Sequence, residues 1–61
     1  MELIIKINMD NDAYKQNEVF EIQENLNDVM RKIVWGDTNG IVLDSNGNKT
    51  GYFEINDEEK E

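Results

Sequence analysis

The feature that most limits the fold is a short polar segment between two apolar runs. The sequence Asp-Ser-Asn-Gly-Asn at residues 44–48 separates the apolar residues 41–43 from residues 52–55. Asp at the first turn position and Gly at the fourth are typical of a type I turn followed by a glycine bulge. The sequence therefore predicts a β-hairpin with a three-residue loop, in which Asp44 lies opposite Asn48 and Leu43 lies opposite Lys49.

The register of this hairpin decides which side chains face the core. In the three-residue register one face is entirely apolar and consists of Ile41, Leu43, Phe53 and Ile55. A two-residue Asn-Gly turn would divide these four residues between the two faces, so the three-residue register is favoured. Val42 and Tyr52 are then expected to point away from the core.

Residues 3–9 alternate in polarity and predict another strand. Its expected core face is uniformly apolar and consists of Leu3, Ile5, Ile7 and Met9. Ile4 is an apolar residue on the otherwise polar face, where its neighbour is Lys6. We therefore expect Ile4 on the same outer face as Val42 and Tyr52.

From Glu18 to about Val34 the apolar residues recur at helical spacing. The stripe consists of Val19, Ile22, Leu26, Val29 and Ile33, and all five are expected in the core. Asn17 is the expected N-cap and Gly36 the expected residue after the helix. Phe20 and Trp35 lie beside the stripe. Phe20 is expected at the edge of the core, and Trp35 is expected to be more exposed.

These elements predict one α+β domain over residues 1–56 with the order β-α-β-β. Placing the third strand between the other two makes every neighbouring pair antiparallel, so the expected sheet order is 1-3-2. The amphipathic helix is expected to cover one face of this three-stranded sheet. Residues 57–61 contain no apolar side chain and are expected to form a mobile acidic tail.

The composition excludes most catalytic and metal chemistry. Among 61 residues there is no Cys and no His, so the usual zinc ligands and the commonest general base are absent. Ser45 has no base to activate it. We therefore expect a protein that is not an enzyme and has no catalytic residue, bound metal or cofactor.

Calcium binding at the hairpin is a weaker interpretation of the same residues. Asp44, Asn46 and Asn48 match the first three ligand positions of an EF-hand loop. Lys49 and Ile55 then stand where that loop requires glycine and a bidentate glutamate. A hairpin turn explains these residues better.

The charge indicates the kind of partner. Fourteen acidic and six basic side chains give a net charge of −8, which repels nucleic acid and anionic membranes and favours a basic protein surface. Nothing in the sequence resembles a signal peptide, and no apolar stretch approaches the roughly 20 residues that a bilayer span requires. We therefore expect a soluble cytoplasmic protein with a protein partner.

Two surfaces are candidate binding sites. The first is acidic and lies on the helix face opposite the apolar stripe, with flanking charge near the helix start; it consists of Glu21, Glu24, Asp28, Asp10, Asp12 and Glu18. The second is apolar and combines the uncovered sheet face with the end of the helix; it consists of Ile4, Val42, Tyr52 and Trp35. Exposed apolar patches usually mark interfaces, and a core this small favours self-association, so a homodimer is also expected.

The motifs resemble those of small acidic proteins encoded by phages and prophages, most of which are uncharacterised. Such proteins open with a strand followed by Asp-Asn-x-Ala-aromatic, here residues 10–14. They end with a Leu-x-Asp-x-Asn-Gly-Asn-x-x-Gly hairpin, matched here by residues 43–51 without the residue between Leu and Asp. A more asparagine-rich helix and Trp35 depart from the pattern.

The resemblance implies an origin in a mobile element and a role in the host cytoplasm. Small acidic proteins of mobile elements often inhibit host defence or nucleic-acid enzymes by covering basic surfaces, as nucleic-acid mimics do. The expected function is therefore an anti-defence inhibitor that binds a host protein. The alternative is a structural or regulatory accessory protein that dimerises through its sheet and inhibits nothing.

Overall fold

The structure, a computed structural model, describes residues 1–57. The elements in chain order are β1 (Glu2–Ile7), α1 (Asp12–Gln16), α2 (Glu18–Val34), β2 (Asn39–Leu43) and β3 (Lys49–Asn56). The three strands form one antiparallel sheet in the order β1-β3-β2. The predicted α+β class and sheet order are confirmed, and the short helix α1 is added to the predicted elements.

Helix α1 brings an aromatic side chain from the connection after β1 into the interior. Asn11 precedes the helix in an extended conformation, and its carbonyl oxygen accepts the N–H groups of Tyr14 and Lys15 at 3.0 and 3.4 Å. This single turn buries Tyr14, which is only 2% exposed.

Helix α2 begins at Glu18 and ends at Val34, as predicted. Gly36 follows with a φ of 105°, a left-handed conformation that glycine adopts without strain. Its N–H donates to Ile33 O, and the Asp37 N–H donates to Lys32 O, so these two carbonyls of the last turn are satisfied. Asn17 is the N-cap residue, as predicted; its main-chain oxygen accepts the Glu21 N–H at 3.0 Å, and its side chain makes no capping hydrogen bond.

The rotation of α2 differs from the prediction. Val29 is 2% exposed and Ile22 and Ile33 are half-buried, but Val19 is 77% and Leu26 43% exposed. The predicted burial of Val19 and Leu26 is therefore wrong. The helix is turned so that a polar flank, rather than the full apolar stripe, faces the hairpin.

The predicted three-residue loop and the first pair of opposed strand residues next to it are confirmed. Gly47 has a φ of 85° and donates its N–H to Asp44 O at 3.0 Å, while the Asp44 N–H donates to Asn48 O at 2.9 Å. Leu43 lies opposite Lys49, as expected.

Beyond this pair the hairpin register differs from the prediction. Thr50 is an extra residue on β3, so that Val42 lies opposite Gly51 and Ile41 lies opposite Tyr52. Such a β-bulge moves every following side chain of the partner strand to the other face. Val42 is consequently buried at 1% exposure, and the predicted core positions of Ile41 and Leu43 are wrong, because these residues are 45% and 44% exposed.

The core lies between α2 and the sheet. Its buried apolar centre is Val29, Val42 and Phe53, and Ile5, Ile7 and Ile33 pack against this centre. Gly40 lies opposite Phe53, and a Cβ atom there would stand 2.7 Å from the Phe53 ring, so the absence of a side chain makes room for the aromatic group.

The two ends of the sheet are less buried than expected. Leu3 is 52% exposed, so its predicted core position is wrong, whereas Ile55 is half-buried. Of the predicted acidic tail at residues 57–61, Asp57 follows β3, and residues 58–61 lie outside the described residues. Within residues 1–57, no helix is long and apolar enough to cross a membrane.

Candidate functional site

A buried polar network joins α1, α2 and the hairpin. The hydroxyl of Tyr14 donates to Asn25 Oδ1 at 2.7 Å and lies 2.9 Å from Thr50 Oγ1. Asn25 in turn donates from Nδ2 to Leu43 O at 3.1 Å. Since all of these side chains are buried, the network holds α2 in the rotation that turns Asn25 inwards.

The hairpin turn is organised around one carboxylate. Asp44 Oδ1 accepts the N–H groups of Asn46 and Asn48 at 2.9 and 2.8 Å, and Asp44 Oδ2 accepts Asn11 Nδ2 at 2.8 Å. These bonds, that from Asn11 first, hold the pKa of Asp44 below its ordinary value, because they stabilise the charged form. Asp44 therefore ties the turn to the start of α1.

The two sequence motifs contact each other through these residues. Asn11 and Tyr14 belong to the segment after β1, and Asp44 and Thr50 belong to the hairpin. The contacts explain why the residue types occur together in one chain: each segment supplies the other's hydrogen-bonding partners. The motifs thus specify the fold rather than a reactive group.

Glu21, predicted to be a solvent-facing partner contact, belongs to the same internal network. It is 4% exposed, and its Oε2 accepts the Ser45 N–H at 2.6 Å. An exposed position for Glu21 is therefore wrong. The turn leaves a main-chain donor free at Ser45, and a carboxylate reaching over from α2 satisfies it.

The other five acidic residues predicted as partner contacts fall into two groups. Asp28 is half-buried and pairs with Arg31 at 3.3 Å and Lys32 at 3.2 Å, so its charge is compensated within the helix. The others are exposed and have no ion pair within residues 1–57; they are Asp10, Asp12, Glu18 and Glu24.

An exposed aromatic ring lies among these carboxylates. Phe20 is 51% exposed and lines two adjoining shallow clefts. One cleft, of about 270 Å³, is also lined by Glu24, by Asp28 and by Arg31, the ion-pair partner of Asp28. The other, of about 240 Å³, is also lined by Asp12. We call Asp12, Phe20, Glu24 and Asp28 the Phe20 surface.

Sequence reasoning placed Phe20 in neither candidate surface and expected it at the edge of the core, whereas the ring is half-exposed. The helical position of Phe20 could have predicted its exposure. At about 100° per residue, Phe20 lies between Glu24 and Val34 around the helix axis and on the side opposite Val29. The Phe20 surface keeps three of the six predicted acidic contacts. Asp10 and Glu18 remain exposed nearby in sequence, whereas Glu21 lies beneath this surface as part of the fold.

The open sheet face contains a second group of apolar side chains. In the central row, Lys6 and Ile41 flank Tyr52, and in the next row Ile4 lies opposite Glu54. Ile4 and Tyr52 thus lie on the predicted face. The predicted place of Val42 on this face is wrong, because the bulge puts Ile41 there instead.

Trp35 lies just after α2 and is 85% exposed. Its main-chain N–H donates to Arg31 O at 3.1 Å, so the main chain is fixed while the indole ring is left in solvent. The expected exposure of Trp35 is confirmed.

No protein-family model, curated protein or solved structure matches this chain. Within residues 1–57 no group of three or more acidic residues is arranged to hold a metal ion. The described side chains offer surfaces for binding, namely an aromatic ring among carboxylates and an apolar sheet face.

Proposed function

We propose that this protein is a non-enzymatic binding protein that covers a basic surface of a partner protein with its Phe20 surface. The observation that carries the proposal is Phe20, a half-exposed aromatic ring beside the uncompensated carboxylates of Asp12 and Glu24. Aromatic anchors surrounded by charged groups are typical of protein interfaces.

The two kinds of side chain have different roles in such a complex. The carboxylates steer the approach of a basic partner and raise the association rate, with a strong dependence on ionic strength. The ring of Phe20 is removed from water in the complex and slows dissociation. The net charge of −8 acts in the same direction at longer range and disfavours nucleic acid and anionic membranes as direct partners.

The resemblance to phage and prophage proteins supports a more specific form of this proposal. In that form the partner is a defence or nucleic-acid-handling protein in the cytoplasm of a bacterial host. The protein inhibits its partner by occupying the basic groove that nucleic acid would fill. Asp10 and Glu18 extend the acidic charge beyond the Phe20 surface and contribute to steering.

The test is affinity capture from host lysate, followed by binding kinetics with the captured partner at several salt concentrations. The charge variant Asp12→Asn with Glu24→Gln should slow association and flatten its salt dependence. Its matched control is Asp37→Lys, which makes the same total change in net charge at an exposed site near the other end of α2. The control should associate nearly as fast as the unmodified protein.

Phe20→Ala should raise the dissociation rate, whereas Trp35→Ala, at an even more exposed ring, should not. Far-UV circular dichroism checks that each variant is folded. If Trp35→Ala or Tyr52→Ala abolishes binding while the variants of Asp12, Glu24 and Phe20 bind normally, the proposal is wrong.

The open sheet face supports a second candidate function. Ile4, Ile41 and Tyr52 lie together on a face that no described element covers. An accessory protein that associates through this face would bind with little dependence on salt, and Tyr52→Ala would be its most damaging variant.

A further inference from the structure

The two outer edges of the sheet differ in how their main-chain groups are satisfied. The Ile55 N–H donates to Thr38 O at 2.8 Å, so alternate residues of β2, namely Gly40 and Val42, direct their main-chain groups at β3. The groups of Asn39, Ile41 and Leu43 then point outwards. Side chains of α2 reach two of the three outward carbonyls, those of Ile41 and Leu43.

Lys32 Nζ donates to Ile41 O and Asn25 Nδ2 donates to Leu43 O, both at 3.1 Å. These bonds occupy two of the three acceptors that another strand would need. The edge of β2 is therefore protected in the way that natural proteins protect edge strands, by covering them.

The edge of β1 is open. The Asn8 N–H donates to Thr50 O at 2.8 Å, so the even-numbered residues of β1 direct their main-chain groups at β3. The main-chain groups of Leu3, Ile5 and Ile7 point outwards, and within residues 1–57 no strand pairs with them.

A row of exposed apolar side chains on α2 lies on the same side of the molecule. We call it the outer row, and it consists of Val19, Leu26, Met30 and Val34, which are 77%, 43%, 57% and 79% exposed. It lies roughly 140° around the helix axis from Glu21, Asn25 and Lys32, at about 100° per residue.

The direction of the outer row follows from the contacts of α2. The flank of Asn25 and Lys32 reaches the outer edge of β2, and Val29 and Ile33, which pack in the core, lie between that flank and the outer row. The outer row therefore lies on the side of β1. Leu3, at 52% exposure, adds apolar surface there.

We propose that the open edge of β1 pairs with β1 of a second copy of this chain, antiparallel about a two-fold axis at Ile4. Only odd-numbered residues can form the new hydrogen bonds, and in this register Leu3 and Ile5 of the two copies form them. The result is a continuous six-stranded sheet. The outer rows of the two α2 helices then face each other above the joined β1 strands.

Charge complementarity selects this register. With Ile4 on the axis, Glu2 of each copy lies directly opposite Lys6 of the other, and Ile4 packs against Ile4 on the open face. Opposite charges in directly opposed positions stabilise an antiparallel pair. Moving the axis by one residue in either direction keeps the strands antiparallel but separates Glu2 from Lys6.

The test is analytical ultracentrifugation of charge-reversal variants. The unmodified protein should sediment at twice the 7.1 kDa chain mass. Lys6→Glu and Glu2→Lys each place like charges opposite one another twice per dimer, and each should weaken dimerisation roughly tenfold or more. An equimolar mixture of these two variants restores both opposite-charge pairs and should restore the dimer.

Matched controls separate this effect from net charge. Lys49→Glu makes the same charge change as Lys6→Glu. Asp37→Lys makes the same charge change as Glu2→Lys, although the Asp side chain is one methylene group shorter than that of Glu. Both sites are exposed and lie outside β1, so both controls should remain dimeric. Circular dichroism verifies that every variant is folded.

The proposal is overturned if the unmodified protein stays monomeric up to about 1 mM. The edge of β1 would then pair with a strand of another protein or with no strand. A dimer that tolerates Lys6→Glu, or a mixture of Lys6→Glu and Glu2→Lys that remains monomeric, overturns it as well.

Discussion

Replacing Tyr14 by Phe removes a single buried hydroxyl group and tests the network that orients α2. That hydroxyl donates to Asn25 Oδ1 at 2.7 Å and contacts Thr50 Oγ1 at 2.9 Å. Thr50 keeps Val42 O as a partner at 3.4 Å, but Asn25 Oδ1 loses its donor at a residue that is 3% exposed. An orphaned buried acceptor costs about 1–3 kcal/mol.

This cost is large for a chain of 61 residues, whose core is expected to supply only about 3–5 kcal/mol. We therefore expect the free energy of unfolding to fall by about 2 kcal/mol, roughly half of the total. Urea unfolding followed by far-UV circular dichroism measures it. Trp35 fluorescence is a poor probe, because this ring is 85% exposed in the folded protein.

Tyr52→Phe is the matched control, since it makes the same chemical change. Tyr52 is 39% exposed, and its hydroxyl has no hydrogen-bonding partner within residues 1–57. Its cost should stay within about 0.5 kcal/mol. If the two substitutions reduce the free energy of unfolding equally, the network does not hold α2 in place and the reasoning fails.

Two further substitutions test the hairpin. Gly51→Ala should destabilise by roughly 3 kcal/mol, since its Cβ would collide with the main-chain oxygen of Lys6 and part β1 from β3; a urea midpoint near that of the unmodified protein would contradict the close approach. Asp44 has a lowered pKa in the folded state, so its stabilisation is complete above the ordinary value of 3.8 and disappears as pH falls through the lower folded value. The free energy of unfolding of Asp44→Asn should therefore be lower than that of the unmodified protein at about pH 5, and the two values should converge as pH falls to about 2. A difference that stays constant over that range would contradict the assignment.

The parts of the fold that sequence predicted correctly depend on neighbours in the chain. The turn at residues 44–48 needs an acceptor at Asp44 and a left-handed residue at Gly47, and both are visible within five residues. The bounds of α2 follow from Glu18 in the first turn and Gly36 after the last. Local chemistry of this kind can be predicted without knowing what packs against it.

The errors arise where a distant residue decides the outcome. The bulge at Thr50 accompanies the contact of its side chain with Tyr14, which is 36 residues away in sequence. That one extra residue exchanged Val42 with Ile41 and Leu43 between the two faces. Apolar patterning favours the register that places most apolar residues on one face. It cannot predict a contact between two buried hydroxyl groups, such as those of Tyr14 and Thr50.

The acidic site was predicted only in part for a related reason. Charge patterning places every carboxylate on a solvated face, and for Glu24 and Asp12 that placement is correct. Glu21 differs because the turn presents the Ser45 N–H where α2 passes. The exposed ring of Phe20 was missed because an aromatic residue beside an apolar stripe is more often packed into the core.

The rotation of α2 connects the internal network to the proposed dimer. Turning Asn25 and Glu21 towards the hairpin satisfies the buried polar groups of the turn, but it moves Leu26 and Met30 away from the sheet. A helix of 17 residues over three strands has no further element in the described chain to cover that flank. A second copy joined through β1, as we propose, would cover it with the same residues, because a two-fold axis brings each exposed row against its own equivalent. The polar seam that stabilises one chain therefore also creates the apolar surface through which two chains would associate.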